Sequence, residues 1–412
     1  MTGSFALAAL WLALALLATV LANHLRVSMA LLEICVGVLA GALAERFVGP
    51  DALGANVDWL RFLASSGAVL LTFLAGAELE PEVLRRKWKE VSVVGAVGFL
   101  APFLGCAALA RWVFGWDPRA SWLAGVALST TSMAVVYAVM LETGLNRTEF
   151  GKGILGSCFV NDLGTVIALG LIFAPFTYKT AVFISASVVV LASLPFFTRI
   201  LTRRYGHRTA AVRAKWVLFV LFGLGALALW SGSEAVLPAY IAGMVLAGAA
   251  AQDHHWVRRM RTLTIGFLTP FYFIRAGSLV SIPAIAAAPA LFLALLAGKI
   301  ASKIFGLYPV TCPFREQGRE RWYYTLLMST GLTFGTISAL YGLTNGIVSR
   351  SQYSFLVAVV IASAVVPTLI ANAVFLPRHL LPDRAILEEG AIPLAAPEAA
   401  RVEEEEEGLQ NE

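Results

Sequence analysis

Gly151-Lys152-Gly153-Ile154-Leu155-Gly156-Ser157-Cys158-Phe159-Val160-Asn161-Asp162-Leu163-Gly164-Thr165 is the stretch on which the fold turns. Read literally, Gly151, Gly153 and Gly156 match G-x-G-x-x-G. That pattern binds a dinucleotide only between a strand and a helix of a βαβ unit, and no strand pattern precedes it. The stretch instead opens an apolar run, 151–177, long enough to cross a bilayer, which takes about 20 residues. Its glycines then serve close helix packing. Asp162 lies eleven residues into the run, about 16 Å at about 1.5 Å per residue, which is near mid-bilayer. Cys158, Asp162 and Thr165 share one helical face, and Ser157, Asn161 and Gly164 the adjacent one. One side of this helix is therefore small and polar, as a surface around a hydrophilic cavity should be. An acid at such depth is costly and marks function rather than packing.

The whole chain supports a membrane reading. Of 412 residues, 58% are hydrophobic and 14% charged, with mean hydropathy +0.77, whereas a soluble domain carries about 25% charge. Soluble enzymes, nucleic-acid binders and disulfide scaffolds are excluded on this count. Cys35, Cys106, Cys158 and Cys312 form no C-x-x-C pair and suggest neither a metal site nor a disulfide framework. Thirteen apolar runs can be marked: 5–23, 27–48, 60–80, 90–114, 121–141, 151–177, 179–201, 214–232, 236–251, 261–280, 282–306, 322–344 and 350–377. The first lacks the basic start and small-residue cleavage site of a signal peptide. Most of the 31 Lys and Arg fall in connections on one side, including Arg85-Arg86-Lys87-Trp88-Lys89, the Arg199–Lys215 stretch and Arg258-Arg259-Met260-Arg261. The positive-inside rule then predicts N-out, C-in. Residues 381–412 hold ten acids against two bases and are expected to be an acidic, disordered cytosolic tail.

Charges elsewhere in the runs have simpler explanations. Glu33, Glu45, Glu78 and Glu142 lie near helix ends, where snorkelling or capping suffices. Lys299 and Arg275 are the deep bases, and Arg275 is near enough to the end of its helix to snorkel. Two hydroxyl clusters interrupt runs at mid-depth: Ser129-Thr130-Thr131-Ser132 in the fifth, and Ser329-Thr330-Gly331-Leu332-Thr333-Phe334-Gly335-Thr336 in the twelfth. Hydroxyls and glycine accompany broken helices, where they help satisfy freed backbone groups. Paired interruptions in spans of opposite direction point to an inverted-repeat transporter site.

On these residues the chain resembles bacterial monovalent cation:proton antiporters of the Kef/Nap type, within the sodium/proton antiporter superfamily. The resemblance covers about 5–377. It is carried by Gly67–Glu78, Leu128–Ser132, the Asn161-Asp162 pair, Ala242-Gly243, Pro270-Phe271-Tyr272-Phe273, and Lys299 after Gly298. It implies an all-α polytopic fold of about 13 transmembrane helices, with inverted repeats and two crossing broken helices, over residues 1–380. Core helices would occupy about 90–177 and 282–377, and dimer or scaffold helices about 5–80 and 179–280. A homodimer in the cell (inner) membrane is implied, with the tail in the cytoplasm. No cofactor, nucleic-acid partner or nucleotide-binding regulatory domain is expected.

The resemblance also assigns roles. Asp162 would carry cation and proton in turn, since a protonated carboxyl binds a cation poorly. Asn161 would hydrogen-bond the broken-helix backbone, and Lys299 would compensate charge in the core, with Lys303 one turn away as the alternative. Ser129, Thr130, Thr131, Ser132, Thr330 and Thr333 are the candidate ligands around the ion. Many members of this branch have two adjacent acids. Asn161 in place of the first favours one cation exchanged for one proton. Sodium is the favoured ion, with lithium possible. A K+/H+ antiporter and an ion-coupled solute symporter remain open alternatives. An intramembrane aspartyl protease would need two carboxyls sharing a proton, and only one acid lies this deep.

Overall fold

The computed structural model describes residues 2–25, 29–49, 53–77, 85–145, 148–173, 177–205, 212–233, 235–252 and 254–381. The acidic tail beyond 381 and Glu78 lie outside the described residues, as does the side chain of Glu142. Every regular element among them is a helix. In chain order, α1 (Thr2–Leu25), α2 (Met29–Phe47) and α3 (Asp58–Ala77) are followed by α4 (Trp88–Ala108), α5 (Pro118–Ser129), α6 (Met133–Thr143) and α7 (Glu149–Phe173). Next come α8 (Tyr178–Tyr205), α9 (Val212–Ser231), α10 (Val236–Gln252), α11 (His254–Leu263) and α12 (Thr269–Ser278). The last set is α13 (Ile282–Ala287), α14 (Pro289–Thr311), α15 (Gly318–Met328), α16 (Thr333–Thr344) and α17 (Arg350–Ile370).

Nine helices among the described residues are long and apolar enough to cross a membrane. The other four expected runs also coincide with helix: the second and ninth are the unbroken α2 and α10, while the fifth is broken and the tenth passes through a π turn at Thr264–Leu268. The fifth run divides into α5 and α6 around the non-helical Thr130–Ser132, and α15 and α16 are parted by Thr330–Leu332. The eleventh run is split at Ala288, whose backbone (φ −140, ψ 63) leaves the helix just before Pro289 begins α14. Pro at a helix start is favoured because its missing N–H is unused there.

The helices pack in two groups. In one, α4 lies against α5, α7 and α14, while α16 packs on α5 and α17. This places two units of the same make-up, helix–broken helix–helix, around a shared centre. In the other group α10 lies along α3, α12 lies along α2 and against α3, and α1 covers α2. These pairs approach to backbone contact. A Cβ on Gly243 would fall 2.1 Å from the Phe73 carbonyl oxygen, and one on Gly76 would fall 2.3 Å from that of Tyr240. Gly277 and Gly37 make the same reciprocal approach between α12 and α2, to the carbonyls of Ile34 and Ile274. Small residues let apolar helices associate through dispersion where no water drives them together.

Gly243→Ala should destabilise the protein by about 3 kcal/mol, the upper part of the range for overpacking, because rigid backbone opposes the methyl. Gly248→Ala, on the same helix with open space around it, should be neutral. Thermal unfolding of both variants in detergent checks this, and equal unfolding temperatures would refute the close approach.

Candidate functional site

The two interruptions meet at the centre of the first group. The Thr131 hydroxyl donates to the carbonyl of Met328, the last residue of α15, at 2.8 Å. The Ser132 amide approaches the Thr330 hydroxyl at 3.4 Å. Gly331 lies in the second break, where a Cβ would fall 2.2 Å from the Lys299 Nζ and 3.2 Å from the Thr130 carbonyl oxygen.

Four half-helix ends therefore converge, from α5, α6, α15 and α16. Helix ends carry about half an elementary charge of alternating sign, and their last carbonyls lack partners within the helix. Side chains from elsewhere supply some of those partners. Asn161 Nδ2 donates to the Ser129 carbonyl at the end of α5 (3.3 Å), and its Oδ1 accepts from the Thr131 amide (2.9 Å). One amide thus bridges the two sides of the first break, and Thr131 caps the end of α15 across the crossing.

Asp162 follows Asn161 on α7 and is 2% exposed. Its Oδ1 is buried with no hydrogen-bond partner, and the same holds for Lys299 Nζ. Lys303 Nζ donates to Thr131 Oγ1 at 3.0 Å, so a lysine, a hydroxyl and the Met328 carbonyl form one chain across the crossing. Lys303 thus reaches the first break, while Lys299 is directed toward Gly331. Neither lysine is in ion-pair contact with Asp162. A buried carboxylate without a paired charge is costly. Binding a proton or a cation there would remove that cost.

The expected residues are placed as follows. Ser129, Thr130, Thr131, Ser132 and Thr330 are fully buried at the crossing. The Ser129, Thr130 and Thr330 hydroxyls turn back to carbonyls of the preceding turn, those of Val126, Ala127 and Leu327. Thr333 is half-buried at the first turn of α16 and makes no side-chain hydrogen bond among the described residues.

Contacts that the sequence left unassigned surround this centre. Tyr240 of α10 donates to the Phe159 carbonyl on α7 (3.1 Å) and stacks on its ring, tying the two helix groups together three residues before Asp162. Tyr324 bonds Ser157 (2.8 Å) and the Gly153 carbonyl (3.1 Å). Arg315 pairs with Glu90 and lies over the Phe150 ring. Arg315 and Glu90 read as ordinary loop and helix-end charges in sequence, and only their meeting distinguishes them.

With the fold and the crossing described, comparison with known proteins places the chain. Residues 12–376 match the transmembrane sodium/hydrogen exchanger family, and the chain belongs to that family. It is 26% identical over 249 residues to the probable Na(+)/H(+) antiporter 3 of Methanocaldococcus jannaschii, covering 57% of this chain and 63% of that protein. It is 28% identical over 322 residues to the glutathione-regulated potassium-efflux system protein KefC of Cronobacter sakazakii, covering 73% of this chain and 50% of KefC. The chain thus spans about half to two thirds of the length of these relatives. The Na(+)/H(+) antiporter NhaS4 of Synechocystis is 25% identical over 371 residues, 84% of this chain and 88% of NhaS4. The structure of the sodium proton antiporter MjNhaP1 from Methanocaldococcus jannaschii superposes with a TM-score of 0.68 over 90% of this chain and 96% of that one, at 14% identity. The chain is a multi-pass membrane protein of the antiporter fold.

Proposed function

We propose that the protein exchanges a monovalent cation for a proton across the cell (inner) membrane, with Asp162 as the shared carrier. The observation that carries this reading is the buried, unpaired Asp162 carboxyl beside two crossing broken helices. A hard cation takes oxygen ligands, and hydroxyls, freed carbonyls and water can complete what one carboxylate begins. A protonated carboxyl binds that cation poorly, so the two occupants compete. Either one neutralises the acid, which can then be carried through an apolar barrier without the penalty of a bare charge.

Transport then takes an elevator-like form. The group holding α4–α7 and α14–α17 moves against the group holding α1–α3 and α8–α12, which would also form the homodimer contact. The chain is oriented N-out with its acidic tail in the cytoplasm. One carboxyl and no second acid beside it favour a one-for-one, electroneutral exchange. Sodium is the preferred ion in this reading, with lithium as a second substrate. The similarity to KefC, a potassium-efflux protein by name, supports potassium as the alternative.

Cation-induced proton flux in proteoliposomes, scanned with Na+, Li+ and K+ at clamped and unclamped membrane potential, tests the proposal. Flux that ignores the potential and depends on one ion supports electroneutral antiport and identifies the ion. Potential-dependent flux would add a second charge to the cycle, with Lys303 and Lys299 the groups to vary. Absence of proton flux with every cation would overturn antiport in favour of ion-coupled solute symport.

A further inference from the structure

A cavity of about 430 Å³ lies away from the crossing, at the bundle end formed by the C-termini of α2, α12 and α16 and the N-termini of α3 and α17. Its size falls in the usual range for small-ligand sites, about 300–1,000 Å³. Its lining includes three arginines, Arg61, Arg275 and Arg350, and one acid, Glu45. Arg350 is closely paired: it meets Glu45 at 3.3 Å and also approaches the Leu279 carbonyl. The other two are not. Among the described residues Arg61 has only Asp58, at 3.9 Å with the acid fully exposed, and such a surface pair holds little. Arg275 is 5% exposed, and its Nε donates to the Ala55 carbonyl at 2.7 Å. Among the described residues its remaining guanidinium donors have no acceptor and it forms no ion pair. Arg61 and Arg275 are close enough for their like charges to act on each other.

Two guanidinium groups lining one cavity, one buried and neither closely paired among the described residues, are costly unless an anion joins them. Guanidinium matches the planar, bidentate geometry of phosphate oxygens better than any other side chain. We infer that this cavity binds a phosphate group, held by Arg275 and Arg61. The proposed ion exchange does not use it. The cavity is larger than a bare phosphate needs and lies at the end of the bundle, the level of lipid headgroups, so an anionic phospholipid headgroup is one source and free phosphate the other.

The site joins parts of both helix groups. Arg275 and Arg61 belong to α12 and α3, while Arg350 belongs to α17, where Tyr353 also donates to the Ala276 carbonyl at 2.6 Å.

Thermal unfolding of the full-length protein in detergent tests this independently of transport. Short-chain phosphatidylglycerol, short-chain phosphatidylcholine and inorganic phosphate would each be titrated at constant ionic strength. The unfolding temperature should rise saturably with phosphatidylglycerol, with phosphate or with both, and not with phosphatidylcholine. The rise should be lost in Arg61→Gln and retained in Arg119→Gln, an exposed arginine away from the cavity. Because Arg275 also anchors the Ala55 carbonyl, Arg61→Gln carries the decision and Arg275→Gln corroborates it if folded. A response to phosphatidylglycerol alone assigns the lipid headgroup, and a response to phosphate alone assigns a soluble anion. No response in the wild type, or an undiminished one in Arg61→Gln, overturns the inference.

Discussion

Asp162→Asn is expected to abolish cation-driven proton flux, bringing it to the level of protein-free liposomes, while the unfolding temperature stays at or above that of the wild type. The two effects have one cause. The amide is nearly isosteric but takes up no proton at physiological pH and offers a cation only a neutral oxygen, so both occupants lose their site together. Stability is spared because the Asp162 carboxyl contributes no hydrogen bond through Oδ1 and no ion pair in the folded protein. Removing an unpaired buried charge relieves desolvation rather than breaking a contact. Proteoliposome flux and thermal unfolding on the same preparation check both halves. Exchange at wild-type rates would refute the carrier role, and a large drop in unfolding temperature would show that Asp162 is structural.

The second large effect is expected at the neighbouring residue and has the opposite character. Asn161→Ala should lower both stability and transport. It leaves the Thr131 amide and the Ser129 carbonyl without the partners that now hold the first break open. A buried backbone group so orphaned costs about 1–3 kcal/mol, and here there are two. Asn161→Asp separates the contributions, because a carboxylate still accepts from the Thr131 amide but cannot donate to the Ser129 carbonyl. It should unfold between the wild type and Asn161→Ala. It also places a second acid beside Asp162, so any exchange it retains should become sensitive to membrane potential. Wild-type stability in Asn161→Ala would show that the bridging amide does not hold the break.

How far the site could be read in advance depended on the distance over which each feature is determined. The depth of Asp162 follows from counting residues along one helix, and the hydroxyl clusters show where helices break, because both are local properties of the chain. Lys299 and Lys303 differ in kind. They lie one turn apart on the same face of α14, so no periodicity can rank them, and the choice rests on how α14 packs against α4 and the crossing. There Lys303 meets Thr131 and Lys299 faces Gly331. Glu90 and Arg315 are 225 residues apart, and each has an adequate explanation alone. Arg275 looked like a snorkelling side chain near a helix end. The structure instead buries it beside Ala55 and Arg61.

The sequence by itself determined that this chain lives in a membrane, that Asp162 stands well inside one apolar helix and that two of its helices are interrupted. These are consequences of composition, of a constant rise per residue and of residues that cannot continue a helix. It did not show that Glu33, read as a snorkelling or capping acid, is also buried. Only the tertiary structure decided that the interruptions cross, that Asn161 bridges one of them, and that three arginines from separate helices line one cavity. Each of these depends on where distant helices come to rest against one another. That is set by the mutual approach of glycine-lined backbones, such as Gly76 with Gly243 and Gly37 with Gly277, and not by any one stretch of sequence.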